Sequence, residues 1–233
     1  MNIKKLFWIV PLLFISISPI AQAAFILNGT RYIYDEGQKN ISVEINNESK
    51  ELYGGQVWIT NKNKNTQEVS FVPLPSFFKV EGKKMQLVRI MNVNPNLPKT
   101  RESLFWLNVQ EIPPVNKNVK NAMVIAINTQ VKLLYRPTSI QKGRMNAESK
   151  VEINKRNGSS FIKNPTPYYF AITSLKINDK EVKISKELSN ELGMFAPNSS
   201  IKLKGINIPV NAKVSFKAID DYGAVNSYTI SIG

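Results

Sequence analysis

The sequence predicts an all-β protein of two sandwich domains, and three observations carry that expectation. Apolar residues recur at every second position in runs of five to eight, the period of a half-buried strand. Clusters of Asn, Pro, Asp and Gly break these runs at short intervals. No stretch shows the three-and-four spacing of a long amphipathic helix, and only Ser185 to Leu192 suits one turn or two.

Taken in chain order, residues 1–23 form a leader. Lys4 and Lys5 precede an apolar run from Leu6 to Ile20, interrupted by Pro11 and Pro19, and Ala21-Gln22-Ala23 supplies an A-x-A site ahead of Ala24. Such a run is too short to favour spanning a bilayer, so we expect a secretory signal peptide cut after Ala23. Removing 23 of the 233 residues leaves 210, and losing Lys4 and Lys5 lowers the formal charge from +14 to +12. No later stretch is long and apolar enough to span, so the product is expected not to be membrane-embedded.

The strands follow. Ile41/Val43/Ile45, Phe105/Leu107/Val109, Met123/Ile125/Ile127 and Val131/Leu133/Tyr135 alternate with other residues in the first half, and Val214/Phe216/Ala218 and Tyr228/Ile230/Ile232 do so in the second. Turns are expected at Asn46-Asn47, Asn61 to Asn65, Asn94-Pro95-Asn96, Pro113-Pro114, Asn178-Asp179, Pro197-Asn198 and Asp221-Tyr222-Gly223. After Tyr135-Arg136-Pro137 the pattern yields to a polar stretch, Thr138 to Lys150. That divides the mature chain into 24–140 and 141–233, each about the size of one immunoglobulin-like sandwich.

The chain has no His and no Cys. This excludes a Ser-His-Asp triad, a thiol nucleophile, a Cys/His zinc site and any disulfide. No catalytic residue, metal or cofactor is expected. The S-x-x-K motifs at Ser139/Lys142, Ser160/Lys163 and Ser199/Lys202 sit at no helix start, and with 31 Lys and Arg chance accounts for them. Neighbouring Asp220 and Asp221 face opposite sides of an extended chain and cannot act as an acid pair. The positive charge first suggests nucleic acid, anionic lipid or an acidic partner, but export argues against nucleic acid.

Two features need more than a bland reading. Met123 to Arg136 reads as one uninterrupted strand of about 14 residues, more than twice the usual length. Met123, Ile125 and Ile127 on one face are either core or an overhanging edge offered to another chain. Arg31 and Lys132 each interrupt a strand, and a cation there needs solvent or an anion; pattern alone favours solvent.

Five segments carry a resemblance. They are Arg101 to Pro113 (RESLFWLNVQEIP), Gly29 to Tyr34 (GTRYIY), Val131 to Pro137 (VKLLYRP), Asn164 to Tyr169 (NPTPYY) and Asp221 to Ala224 (DYGA). In these segments and their order the chain resembles the periplasmic chaperones of the chaperone–usher pathway, over essentially all of its mature length. The resemblance implies two immunoglobulin-like domains set at an angle around a cleft. It implies binding of pilus or fimbrial subunits by donor-strand complementation and delivery to an outer-membrane usher. Met123, Ile125 and Ile127 match the donor strand, Arg31 and Lys132 the anchor for a subunit's C-terminal carboxylate, and Glu102, Arg136 and Asp221 an interdomain ion-pair cluster. Met123 follows Pro113 by ten positions, a spacing similar to that of the short-loop branch. Lys132 lies five residues from Ile127, so strict alternation puts them on opposite faces, and a bulge or strand twist is expected to reconcile them. An exported two-domain adhesin or receptor for an acidic glycan or lipid is the alternative. The free chain is also expected to be able to self-associate through its exposed strand.

Overall fold

The computed structural model describes residues 23–62, 68–115, 124–209 and 211–232. Its first domain carries β1 (Phe25–Leu27), β2 (Arg31–Asp35), β3 (Ile41–Asn47), β4 (Tyr53–Asn61), β5 (Phe71–Leu74), β6 (Phe77–Val80), β7 (Met85–Asn92), β8 (Ser103–Ile112) and β9 (Asn128–Arg136). A sheet of order β1-β3-β7-β5 faces one of order β2-β9-β8-β4-β6. Alternate residues of both fill the space between, with Val43, Ile45, Val88 and Ile90 meeting Tyr34, Val57, Leu107 and Leu133.

The second domain carries β10 (Glu152–Arg156), β11 (Ser159–Asn164), β12 (Ile172–Ile177), β13 (Lys180–Glu181), β14 (Ser199–Lys202), β15 (Val214–Ile219) and β16 (Val225–Ile232), with a helix, α1 (Lys186–Gly193). Its strands run β13-β12-β15-β16-β10-β11-β14, joined at the middle by a parallel β10–β16 contact of only two residue pairs. Both halves share one core, including Ile153, Ile162, Leu175 and Phe216, so the sheet closes into a sandwich. α1 starts where Ser185 accepts a hydrogen bond from the Leu188 N–H, and it buries Leu188 and Leu192 one turn apart. The polar stretch between the domains is wound into short 3-10 turns, Thr138–Gly143 and Ala147–Lys150.

The turn at Asn178-Asp179 is as expected, with both residues at positive φ between β12 and β13. Asn46 and Asn47 are instead the end of β3. Asn47 is buried, and its amide donates to the Glu51, Val80 and Glu81 carbonyls at 2.8, 3.0 and 3.2 Å, knitting the edge of the sandwich.

The long strand expected from Met123 to Arg136 is shorter among the described residues: the ladder begins at Asn128, and Met123 lies outside them. The reason is the partner. β8 and β9 pair without a shift from Ser103 opposite Tyr135 to Gln110 opposite Asn128, and the same register would set Ile125 against Pro113 and Val124 against Pro114. Proline has no N–H to donate, so β8 ends at Ile112 and the ladder stops. The last link is the Glu111 N–H donating to the Ile127 carbonyl at 3.0 Å.

The unbroken register also corrects the expected bulge. Neither ladder of β9 contains one, and alternation holds throughout. Leu133 and Tyr135 face the core of the first domain, whereas Lys132 points the other way, toward the second domain.

Candidate functional site

β2 and β9 are parallel neighbours, and their register sets Arg31 directly opposite Lys132. Two cations over a hundred positions apart in the chain therefore stand side by side on one face. Each is held by a main-chain carbonyl of the second domain. Arg31 NH1 donates to the Ile219 carbonyl at 2.9 Å, and Lys132 Nζ donates to the Gly193 carbonyl at the C-terminal end of α1. Arg31 Nε is buried without an acceptor among the described residues. Around the pair, Leu104, Leu134, Tyr169, Phe170, Ala171 and Met194 close a cavity of about 10 Å³, room for about one water.

Burial and the neighbouring Arg31 charge push the Lys132 ammonium down to about 8. Arg31 is lowered as well, by burial, while Asp221 and Asp220 support its charge. The pair is a concentration of positive charge in a partly dry cleft with neutral acceptors only. Chemically it suits an anion with two oxygens.

Beside it lies a carboxylate–guanidinium network. Arg136 Nε donates to Glu102 Oε1 and NH1 to Asp221 Oδ2, each at 2.7 Å. The other Glu102 oxygen accepts from the Tyr169 N–H at 2.7 Å, and the Glu102 N–H donates to the Pro167 carbonyl at 2.9 Å. Glu102 and Arg136 belong to the first domain, and Tyr169 and Asp221 to the second, so these bonds tie the two together. Burial opposes the Arg136 charge, but Asp221 and Glu102 outweigh it and hold the guanidinium above its ordinary value. The network is larger than expected. Arg144 reaches Glu148 through two hydrogen bonds of 2.7 and 2.9 Å and Asp221 at 3.1 Å. The only signal for this extension was an Arg and a Glu four apart in a stretch that read as a polar linker.

Residues 24–141 match the family described as the pili and flagellar-assembly chaperone, PapD N-terminal domain, and residues 146–230 match the pili assembly chaperone PapD, C-terminal domain. The chain belongs to the PapD-type pilus-assembly chaperones. It is 49% identical to the chaperone protein FanE of Escherichia coli over 213 residues, covering 91% of this chain and 92% of FanE. Among solved structures, the Pseudomonas aeruginosa CupB2 chaperone superimposes with a TM-score of 0.73 at 28% identity, covering 89% of this chain and all of CupB2. The periplasmic chaperone SfaE superimposes with a TM-score of 0.70 at 32% identity, covering 90% of this chain and all of SfaE.

This PapD-type chaperone leaves Val124 to Ile127 exposed, with Val124 at 47%, Ile125 at 69% and Ile127 at 39%. Among the described residues this apolar segment has no strand pairing beyond the bond at the Ile127 carbonyl, which makes it an open edge. It lies just N-terminal to β9, the strand that carries Lys132. Among the described residues, no helix is long and apolar enough to cross a membrane, and no group of three metal-ligating side chains occurs.

Proposed function

We propose that this chaperone captures a pilus subunit at two places joined by β9, the cation pair in the cleft and the segment that precedes the strand. Arg31 and Lys132 take the subunit's C-terminal carboxylate, and the segment before β9 fills the subunit's open groove with Ile125, Ile127 and, ahead of the described residues, Met123. The observation that carries this reading is an exposed apolar segment without a strand partner among the described residues, continuous with a strand whose lysine stands beside an arginine in the cleft. Alternation puts the two jobs on opposite faces: Ile125 and Ile127 share parity with Leu133 and Tyr135, and Lys132 does not. The carboxylate fixes where the subunit's strand begins, and the donor segment supplies main-chain hydrogen bonds and apolar side chains. Three such side chains contribute at most about 5–9 kcal/mol before ordering costs.

The leader, residues 1–23, fits removal after Ala23 on export to the periplasm, where chaperones of this family work, with 24–140 and 141–233 as the two folding units. The ten-residue spacing from Pro113 to Met123 fits the short-loop branch.

Co-expression with the cognate subunit tests the reading. Wild type should raise the soluble subunit level, while Arg31→Ala, Lys132→Ala and Ile125→Asp should each stay folded and fail to co-purify with it. Undiminished co-purification of Arg31→Ala would remove the carboxylate anchor, and normal capture by Ile125→Asp would show that another face enters the groove.

A further inference from the structure

Glu111 is a buried carboxylate with no role in the cleft, at 5% exposure near the end of β8. Its Oε2 accepts from the main-chain nitrogen of Ala24 at 2.9 Å and from that of Phe25 at 3.2 Å. No Lys or Arg forms an ion pair with it among the described residues. The carboxylate's hydrogen-bond partners among the described residues are two neutral main-chain donors, so a positive charge at either nitrogen would add an ion pair to a hydrogen bond that is already aimed.

The nitrogen at 2.9 Å is special, because the Ala21-Gln22-Ala23 site would make Ala24 the first residue of the exported chain. We propose that cleavage after Ala23 completes the first domain by turning the Ala24 amide into an α-ammonium, which becomes the counter-ion of Glu111. The inference rests on the signal-peptide reading given above. Hydrolysis of the Ala23–Ala24 peptide bond consumes one water. It leaves a carboxylate on Ala23 of the leader and an ammonium on Ala24, so a single neutral N–H donor becomes a charged group with three.

The surroundings suit such a terminus. Ala24 is itself 5% exposed, and the next residue, Phe25, packs into the core against Phe78 and Tyr53 with ring centroids 5.9 and 6.0 Å apart. Phe25 opens β1, which pairs with β3 at the sheet edge. The same Glu111 holds the Ile127 carbonyl through its own N–H at 3.0 Å. One residue therefore grips the start of the mature chain with its side chain and the root of the donor segment with its backbone. Processing would tighten the sandwich at the place from which the donor segment departs.

Two measurements decide this. First, intact mass and N-terminal sequencing of the protein recovered from the periplasm should give a chain beginning at Ala24; another start overturns the signal reading and the proposal with it. Second, protein released from a fusion so that it begins at Ala24 is compared with the same chain bearing an α-N-acetyl group, each as wild type and as Glu111→Gln. Acetylation should lower the thermal midpoint of wild type by roughly 5 °C or more. It should shift Glu111→Gln by much less. Equal shifts in both backgrounds, or none in wild type, overturn the ion pair while leaving the cleavage site intact. Should Glu111→Gln not fold, the folded wild type alone suffices: its α-amine should acylate at neutral pH at least tenfold more slowly than in denaturant, and equal rates refute the pairing.

Discussion

Raising the pH from 7 to 9 should weaken subunit binding about tenfold through Lys132 alone. Its ammonium titrates at about 8 in the free protein because burial and Arg31 both disfavour the charge. A carboxylate arriving in the cleft needs that charge and raises the lysine again, so affinity follows the protonated fraction of the free state. That fraction falls from about nine-tenths at pH 7 to about one-tenth at pH 9, a loss of about 1.4 kcal/mol. Below pH 7 the profile should be flat. Stability of the free protein runs the opposite way. Folded Lys132 releases its proton near 8 and the unfolded lysine near its ordinary 10.5, so the burial cost is present in full below 8 and is relieved as pH rises through that window. The assay is titration of a peptide matching the last strand of the cognate subunit, with either a free or an amidated C-terminus, at pH values from 6 to 9.5. Only the free-carboxylate peptide should show the decline. Lys132→Arg, which cannot titrate in this range, should flatten it. An unchanged slope in Lys132→Arg, or a decline shared by the amidated peptide, would refute the reasoning.

Removing the hub of the ion-pair network should be costly: Arg136→Ala leaves Glu102 buried without its cation, and chemical denaturation should show a loss of about 3–5 kcal/mol. A loss below about 1 kcal/mol would mean that the network is not what ties the domains together. Gly55 is needed for space, since a methyl group there would sit 2.2 Å from the Phe78 ring. Gly55→Ala should cost about 1–3 kcal/mol in the same assay, and the cost should shrink when Phe78 is also cut to Ala; an unrelieved penalty points elsewhere. Replacing Pro113 and Pro114 by Val restores two N–H donors to the end of β8. Hydrogen exchange should then show new protection at Val124 to Ile127, together with weaker subunit capture, and unchanged exchange would refute proline as the stop.

How much of this was legible depends on what kind of contact each residue makes. Strands with unbroken period-two patterns, such as β3, β8 and β15, could be read directly because one face of each is largely buried, whereas β9 was read from Met123 although its ladder begins at Asn128. β5 and β6 could not, since they span four residues each around Pro73 and Pro75, where no alternation develops. α1 was visible as an apolar pair one turn apart behind a Ser. The cleft was legible only in part. Arg31 and Lys132 could be singled out as cations inside strands, but periodicity alone favoured solvent for both, and their meeting depends on a parallel register that no local pattern encodes. Arg144 and Glu148 looked like linker charges because their burial comes from distant segments of the second domain itself, around Tyr168, Phe170 and Asp221, which no local pattern shows. Glu111 is a similar case: its partner is the nitrogen of Ala24, 87 positions away, and a main-chain partner leaves no residue-type signal.

The resting cleft also bears on how the proposed capture would proceed. Arg31 and Lys132 are already satisfied, by the carbonyls of Ile219 and Gly193, and the cavity between them is too small for a carboxylate. Those acceptors are neutral, so the two ammonium and guanidinium charges keep their repulsion and most of their desolvation cost, which the lowered Lys132 records. On the proposed function, a subunit's carboxylate exchanges each neutral acceptor for a charged one, adding ion-pair attraction to hydrogen bonds that the two cations already make. The main-chain caps keep the cations aimed and paired until then. They also impose a threshold, since a weak or misplaced anion must displace two carbonyls before it gains either cation. A strand terminus that places its carboxylate between both, while its apolar side chains meet Ile125 and Ile127, gains the two contributions together.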